Sequence, residues 1–219
     1  MRTGGGVTEP NTHKKNVYIA IYNNIFYFFF MSIHNILTII QANIDYAQAL
    51  SVCFNEYSFN DSKKQLAFII QFATKSDNFY FKEERFDIDK LQNTFNCIDS
   101  NKAMKLVSRY SNDLIRTYLK KYGTKQEQER FLYRERGMTR LKGKENYAKY
   151  KDILAIDFIR HPNLVCNRFT DCRVALEFWQ LNDCDNKINN IEELTRTVQG
   201  NTDKIESVVS LMSKIKKGA

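Results

Sequence analysis

Apolar positions recur at helical spacing along most of the chain. Residues 34–54 set Ile36, Leu37, Ile40, Ile44, Ala47 and Leu50 at that spacing, the signature of an amphipathic helix. Asn60-Asp61-Ser62 supplies a start signal for a second helix containing LAFIIQFA (66–73). FYFKEERFDID (79–89) has no helical period and predicts a loop or short irregular strand. Asp99-Ser100 caps a further helix with Met104, Val107, Tyr110, Leu114, Ile115 and Tyr118 on one face. Residues 123–151 are polar and basic and hold three of the four glycines between Gly6 and Gly218. ILAIDFI (153–159) runs into His161-Pro162, where the proline breaks any helix. VALEFWQL (174–181), IEELTRTV (191–198) and IESVVSLMSKI (205–215) predict three more helices, with Gly200 as a stop after the second. No alternating segments joined by Asn-Gly or Asp-Gly turns occur, and no internal repeat.

Composition agrees with a helical globular chain. Of 219 residues, 43% are hydrophobic and 26% charged, which excludes a disordered chain. Eight Gly and two Pro exclude collagen-like and turn-rich all-β architectures. The expectation is one mainly helical domain over residues 31–219, preceded by an extension over 1–30. Residues 16–33 (NVYIAIYNNIFYFFFMSI) follow Lys14 and Lys15 and are strongly apolar. They fit a signal anchor or a short membrane span, in which case the membrane is a partner. Asn16, Asn23 and Asn24 interrupt the run and no small-residue cleavage site follows. The reading favoured is that Met31 is the natural start, because the amphipathic pattern begins there. No localisation follows from this. The five cysteines, Cys53, Cys97, Cys166, Cys172 and Cys184, contain no CxxC, and His13, His34 and His161 are remote from them in sequence. Reduced, buried thiols are the favoured reading, with a Cys166–Cys172 bridge open to an exported protein. No metal and no cofactor is expected.

Five segments occur in one order: QLAFIIQFATKS (65–76), EERFDIDKL (83–91), YRERGMTRLKGKENYAKY (133–150), ALEFW (175–179) and ELTRTVQG (193–200). This order resembles family 19 glycoside hydrolases, the chitinases and phage-type endolysins. Their marks are an AFxAQxxHES-like helix, an EEN-like loop, an RGRGxIQLTGRxNY-like segment, an AxxFW helix and a TRxINGG-like segment. The resemblance spans roughly residues 34–215. It implies a mainly α, lysozyme-like bilobal domain with a central cleft and little strand, the cleft lined by residues 79–89 and 133–147. Its ligand would be a chitin or peptidoglycan-type glycan.

In that family one carboxyl protonates the leaving oxygen and a second activates water on the opposite face, with inversion. The resemblance puts the acid at Lys75, in the pair Thr74-Lys75, and the base at Glu84 or its neighbour Glu83. The water-holding hydroxyl falls on Lys142, and Arg140 replaces a glutamine. Arg136, Asn146 and Tyr147 match the family segment, and Gln199 stands where the family has asparagine. A lysine with an ordinary pKa near 10.4 is a weak acid at neutral pH and opposes a cationic transition state. The expectation is therefore a scaffold that has lost hydrolysis and serves as a carbohydrate-binding or structural protein, with Lys75 and Glu84 forming a salt bridge across the old cleft. The alternative is an active hydrolase with a rearranged acid, Asp77 or Glu83. A third reading is polyanion binding through residues 120–151, which hold eleven Lys and Arg against four Glu with Tyr133, Tyr147 and Tyr150 interleaved. That segment accounts for most of the formal net charge of +8.

Overall fold

The computed structural model of the protein describes residues 31–108 and 112–218. The extension at 1–30, with the apolar run up to residue 30, lies outside the described residues. So does Tyr110.

The expected mainly helical fold is what the chain adopts. Eleven α-helices occur among the described residues: α1 (Ile33–Ile39), α2 (Ala47–Glu56), α3 (Ser62–Lys75), α4 (Ile88–Thr94), α5 (Ser100–Val107), α6 (Asn112–Tyr122), α7 (Lys125–Leu132), α8 (Lys144–Leu154), α9 (Arg168–Leu181), α10 (Ile191–Gln199) and α11 (Ile205–Gly218). The described residues contain no named strand, only isolated bridges of Arg136 with Glu83 and with Leu141. No helix among them is long and apolar enough to cross a membrane.

The start signals work as read. Asp61 accepts from the backbone N–H groups of Lys63 and Lys64, and Asp99 from that of Lys102, filling donors that the first turn leaves orphaned. Gly200 closes α10 in the left-handed region, at φ 92°. The single helix expected over 34–54 is two. The chain leaves α1 through Gln41 at φ 56°, and Asn43 ties the turn to the loop after α3 through a bond from its N–H to the Asn78 carbonyl (2.9 Å). The helix expected from Ser100 onward is likewise divided into α5 and α6.

Three clusters of buried side chains organise the molecule. The largest joins α1, α2 and α3 to α9, α10 and α11. Its centre is aromatic: the Trp179 ring lies 5.4 Å from that of Phe68 and edge-on to Phe59 at 6.0 Å, while the indole N–H donates to Asp185 at 2.7 Å. A second cluster packs α4 to α7 around Leu91, Phe95, Leu119 and Phe131. A third sets Tyr133, Tyr147, Phe158 and Val174 between α8 and α9. The polar segment 123–151 lies across all three and supplies the candidate site.

Candidate functional site

The site is built on a tight hairpin, residues 133–143. Arg136 and Leu141 exchange backbone hydrogen bonds at 3.1 and 2.9 Å, and Gly137 donates to the Lys82 carbonyl at 2.9 Å. The 82–84 segment is thereby fastened along the hairpin, with Glu84 N–H donating to the Glu135 carbonyl at 2.8 Å. Gly137 has φ 69°, and a Cβ there would stand 2.2 Å from Asp171 Oδ1. Only glycine fits so close an approach. Asp171 itself is fully buried on α9 and accepts from the Met138 N–H (2.8 Å) and the Tyr46 hydroxyl (2.8 Å). Burial raises its carboxyl to about 7, against the lowering pull of those two bonds. This buried acid is the pin that holds the hairpin to the helical core.

The two adjacent glutamates have different surroundings. Glu83 is partly exposed: Arg134 Nη2 donates to it at 2.5 Å, Asn112 Nδ2 at 2.6 Å, and Arg136 Nε stands 3.5 Å away. Glu84 is buried and receives both Arg130 nitrogens at 2.9 Å and Lys90 at 3.0 Å. Burial works to raise its pKa, but these cations outweigh it and hold the carboxyl down at about 2. Glu84 is thus a permanently charged, fully engaged anion.

Lys75 does not pair with Glu84, which corrects the salt bridge expected between them. Its ammonium donates to the Val198 carbonyl at 2.6 Å, joining the end of α3 to α10. Burial, then the positive charge of Arg140, lowers its pKa. Arg140, at φ 54°, donates to the Lys75 carbonyl at 2.8 Å, pairs with Asp77 (3.3 Å) and Glu135 (3.5 Å), and covers the Phe81 ring at 4.1 Å. Gln199 belongs to the same corner, donating to the Gln71 carbonyl at 2.8 Å, while Gln71 donates to Thr195 at 2.9 Å. Lys142 is exposed beside Glu135 at 3.5 Å. Asn146 is exposed, donating to the Lys142 carbonyl at 2.8 Å. Tyr147 is buried: its hydroxyl donates to the Arg134 carbonyl (2.9 Å) and accepts from Arg136 (3.0 Å). The expected lining place of Tyr147 is therefore corrected: its side chain is buried against Arg134 and Arg136.

An open groove of about 850 Å³ runs over Glu83. Tyr80 and Phe81 stand on its edge with Asp77 and Arg85, and Arg134 and Asn112 on its floor. Tyr80 is 63% exposed, a free aromatic face. Glu84, Lys75 and Lys142 do not line this groove. Of the expected site residues, the structure gathers Glu83, Arg136 and Tyr147 around the groove floor and gathers Lys75, Arg140 and Gln199 at a separate corner. Asn112 and Asp171 are not among the expected residues, and Tyr80 is covered only by the expectation that residues 79–89 line the site. Asp171 had a signal, a carboxylate among Cys172, Val174 and Ala175 on a buried helix. Asn112 had none.

Part of the basic charge in 120–151 is matched by carboxylates, with Arg134 and Arg136 sharing Glu83, and Arg140 and Lys142 sharing Glu135. Arg130, Arg134, Arg136, Arg140, Lys142, Lys144 and Lys151 each face a carboxylate. The five cysteines are free thiols. Cys166 donates to the Lys82 carbonyl at 3.4 Å, while Cys172 is buried on α9 next to Cys53. No group of three or more His, Cys, Asp or Glu among the described residues is arranged to hold a metal ion. No protein-family model matches the chain, and no curated protein matches it.

Proposed function

We propose that the chain is a glycan-binding protein on a degenerate family 19-like hydrolase scaffold, with the glycan lying in the groove over Glu83. The observation that carries the reading is a pairing. An open groove has an aromatic edge and a polar floor, while the position of the family acid holds an amine bonded to a backbone carbonyl. Sugars stack on exposed aromatic faces and hydrogen-bond to fixed polar groups, which Tyr80, Asn112 and Glu83 supply. Hydrolysis would need a second carboxyl with a raised pKa facing the first across a water. Glu84 is held at about 2 and closed by Arg130 and Lys90.

Lys142, Lys144 and Lys151 already face carboxylates, which ranks polyanion binding along the whole segment 120–151 below this reading. Calorimetric titration of chitin oligomers and soluble peptidoglycan fragments tests the proposal, with reducing ends assayed in the same samples. Saturable binding that Tyr80→Ala weakens by about tenfold, with no new reducing ends, is the expected result. Turnover at an ordinary enzyme rate, about 1–10³ s⁻¹, or no binding of either glycan, would overturn it.

A further inference from the structure

Past Arg134 the groove opens into a second cavity of about 510 Å³. Its charged lining is Arg116, Arg134, Arg136 and Arg160 against Asp113 alone, with His161 beside them. Arg134 and Arg136 are 5% and 1% exposed, and both lean on one carboxylate, Glu83, at 2.5 and 3.5 Å. Two buried guanidinium cations share one anion, so a net positive charge remains in the cavity wall. The neighbouring acids do not cancel it. Burial pushes the Tyr147 hydroxyl up to about 12 and the Cys166 thiol up to about 11, so both are neutral at physiological pH. Among the described residues the Nε of Arg134 has no hydrogen-bond partner, and that of Arg136 reaches Glu83 only at 3.5 Å without forming one. At the rim, Arg116 is exposed and has no partner among the described residues, and Arg160 is 82% exposed with only Asp157 nearby at 3.6 Å.

A buried positive charge without a counter-charge is costly, and proteins normally pair it. Guanidinium forks match the geometry of carboxylate, phosphate and sulfate groups. We propose that this cavity is a binding site for an oxyanion, gripped by Arg116 and Arg160 at the rim and stabilised by the charge of the Arg134–Arg136 pair in the wall. The anion is either free or a substituent on whatever occupies the adjoining groove. The site does not depend on the glycan reading and stands if neutral sugars fail to bind.

The test titrates inorganic phosphate and, separately, glucuronate into the full chain at ionic strength held constant with chloride, with binding read by calorimetry. Saturable binding of either in the millimolar range or tighter is expected. The double variant Arg116→Gln, Arg160→Gln should weaken it by at least about tenfold, with the melting temperature in chloride unchanged. Asp113→Asn should tighten it. Phosphate alone as the better ligand identifies a free oxyanion, and glucuronate as the better ligand identifies a group carried on a sugar. Either upholds the site. Failure of both to saturate, or binding that the double variant leaves unaltered, overturns it.

Discussion

The corner around Lys75 and the floor around Glu83 are both bonded to the same hairpin, yet they are finished in opposite ways. At the corner every polar group is closed on another: Lys75 on the Val198 carbonyl, Arg140 on the Lys75 carbonyl and Asp77, Gln199 on Gln71. On the floor, Glu83 must serve two buried arginines and one asparagine while it faces an open groove. A self-satisfied network stabilises the scaffold and leaves nothing for a ligand. An under-satisfied one does the reverse. The comparison puts the closed network in the corner and the open one on the floor, where the proposed glycan would lie.

Gly137 should be the most sensitive position, because both regions hang on it. Gly137→Ala drives a Cβ into Asp171 at a positive φ, and should cost about 3 kcal/mol or more, read as loss of the folded state in urea titration. If the variant were as stable as the parent, the hairpin would not be pinned as described. Glu84→Gln comes next. It leaves Arg130 and Lys90 without their carboxylate and should cost about 2–3 kcal/mol at neutral pH.

The pH dependence separates the two buried carboxylates. Glu84 has a folded pKa lowered to about 2. Its contribution is therefore present above its unfolded value near 4.3 and is lost as pH falls towards 2. Asp171 has a folded pKa raised to about 7. Its contribution is greatest below its unfolded value near 3.9 and is lost as pH rises through 7. Stability measured against pH should show both slopes. Glu84→Gln should remove the acid limb, and Asp171→Asn should flatten the stretch from about pH 4 to 7. Persistence of the acid limb in Glu84→Gln would assign it to another group.

The corner should respond least. Lys75→Met leaves the Val198 carbonyl without its donor but removes a partly buried charge, so the net change should stay within about 1 kcal/mol. Glycan binding on the floor should be unaltered. The set Lys75→Glu, Arg140→Gln, Lys142→Thr, which installs the residues of the family the sequence resembles, should yield no hydrolysis, since Glu84 stays locked to Arg130 and Lys90. Cleavage by this variant would show that the corner and the floor still work together.

Elements with caps and a clear apolar stripe were legible in the sequence. The Asp61 and Asp99 starts and the Gly200 stop fall where the pattern puts them. Helices α4, α7 and α8 were not, because each buries only one or two side chains and the rest of its surface is mostly polar; α7 is held by the capping box of Thr124 and Glu127. The choice between Glu83 and Glu84 was beyond the sequence for a physical reason. Neighbours on an extended segment point to opposite sides, and only the pairing of that segment with Glu135 and Gly137 decides which side is open. The partner of Lys75, a backbone carbonyl on α10, leaves no trace in side-chain identities.

The central claim is that the floor binds a glycan without cleaving it. A nuclear magnetic resonance titration of the full chain with a chitin oligomer reads both parts in one sample, through backbone amide shifts and through the sugar's anomeric signals. The account predicts saturable shifts at Tyr80, Glu83 and Asn112, none at Lys75 or Gln199, and anomeric signals that stay constant over days. Shifts confined to the Lys75 corner, or new anomeric signals growing in with time, would contradict it.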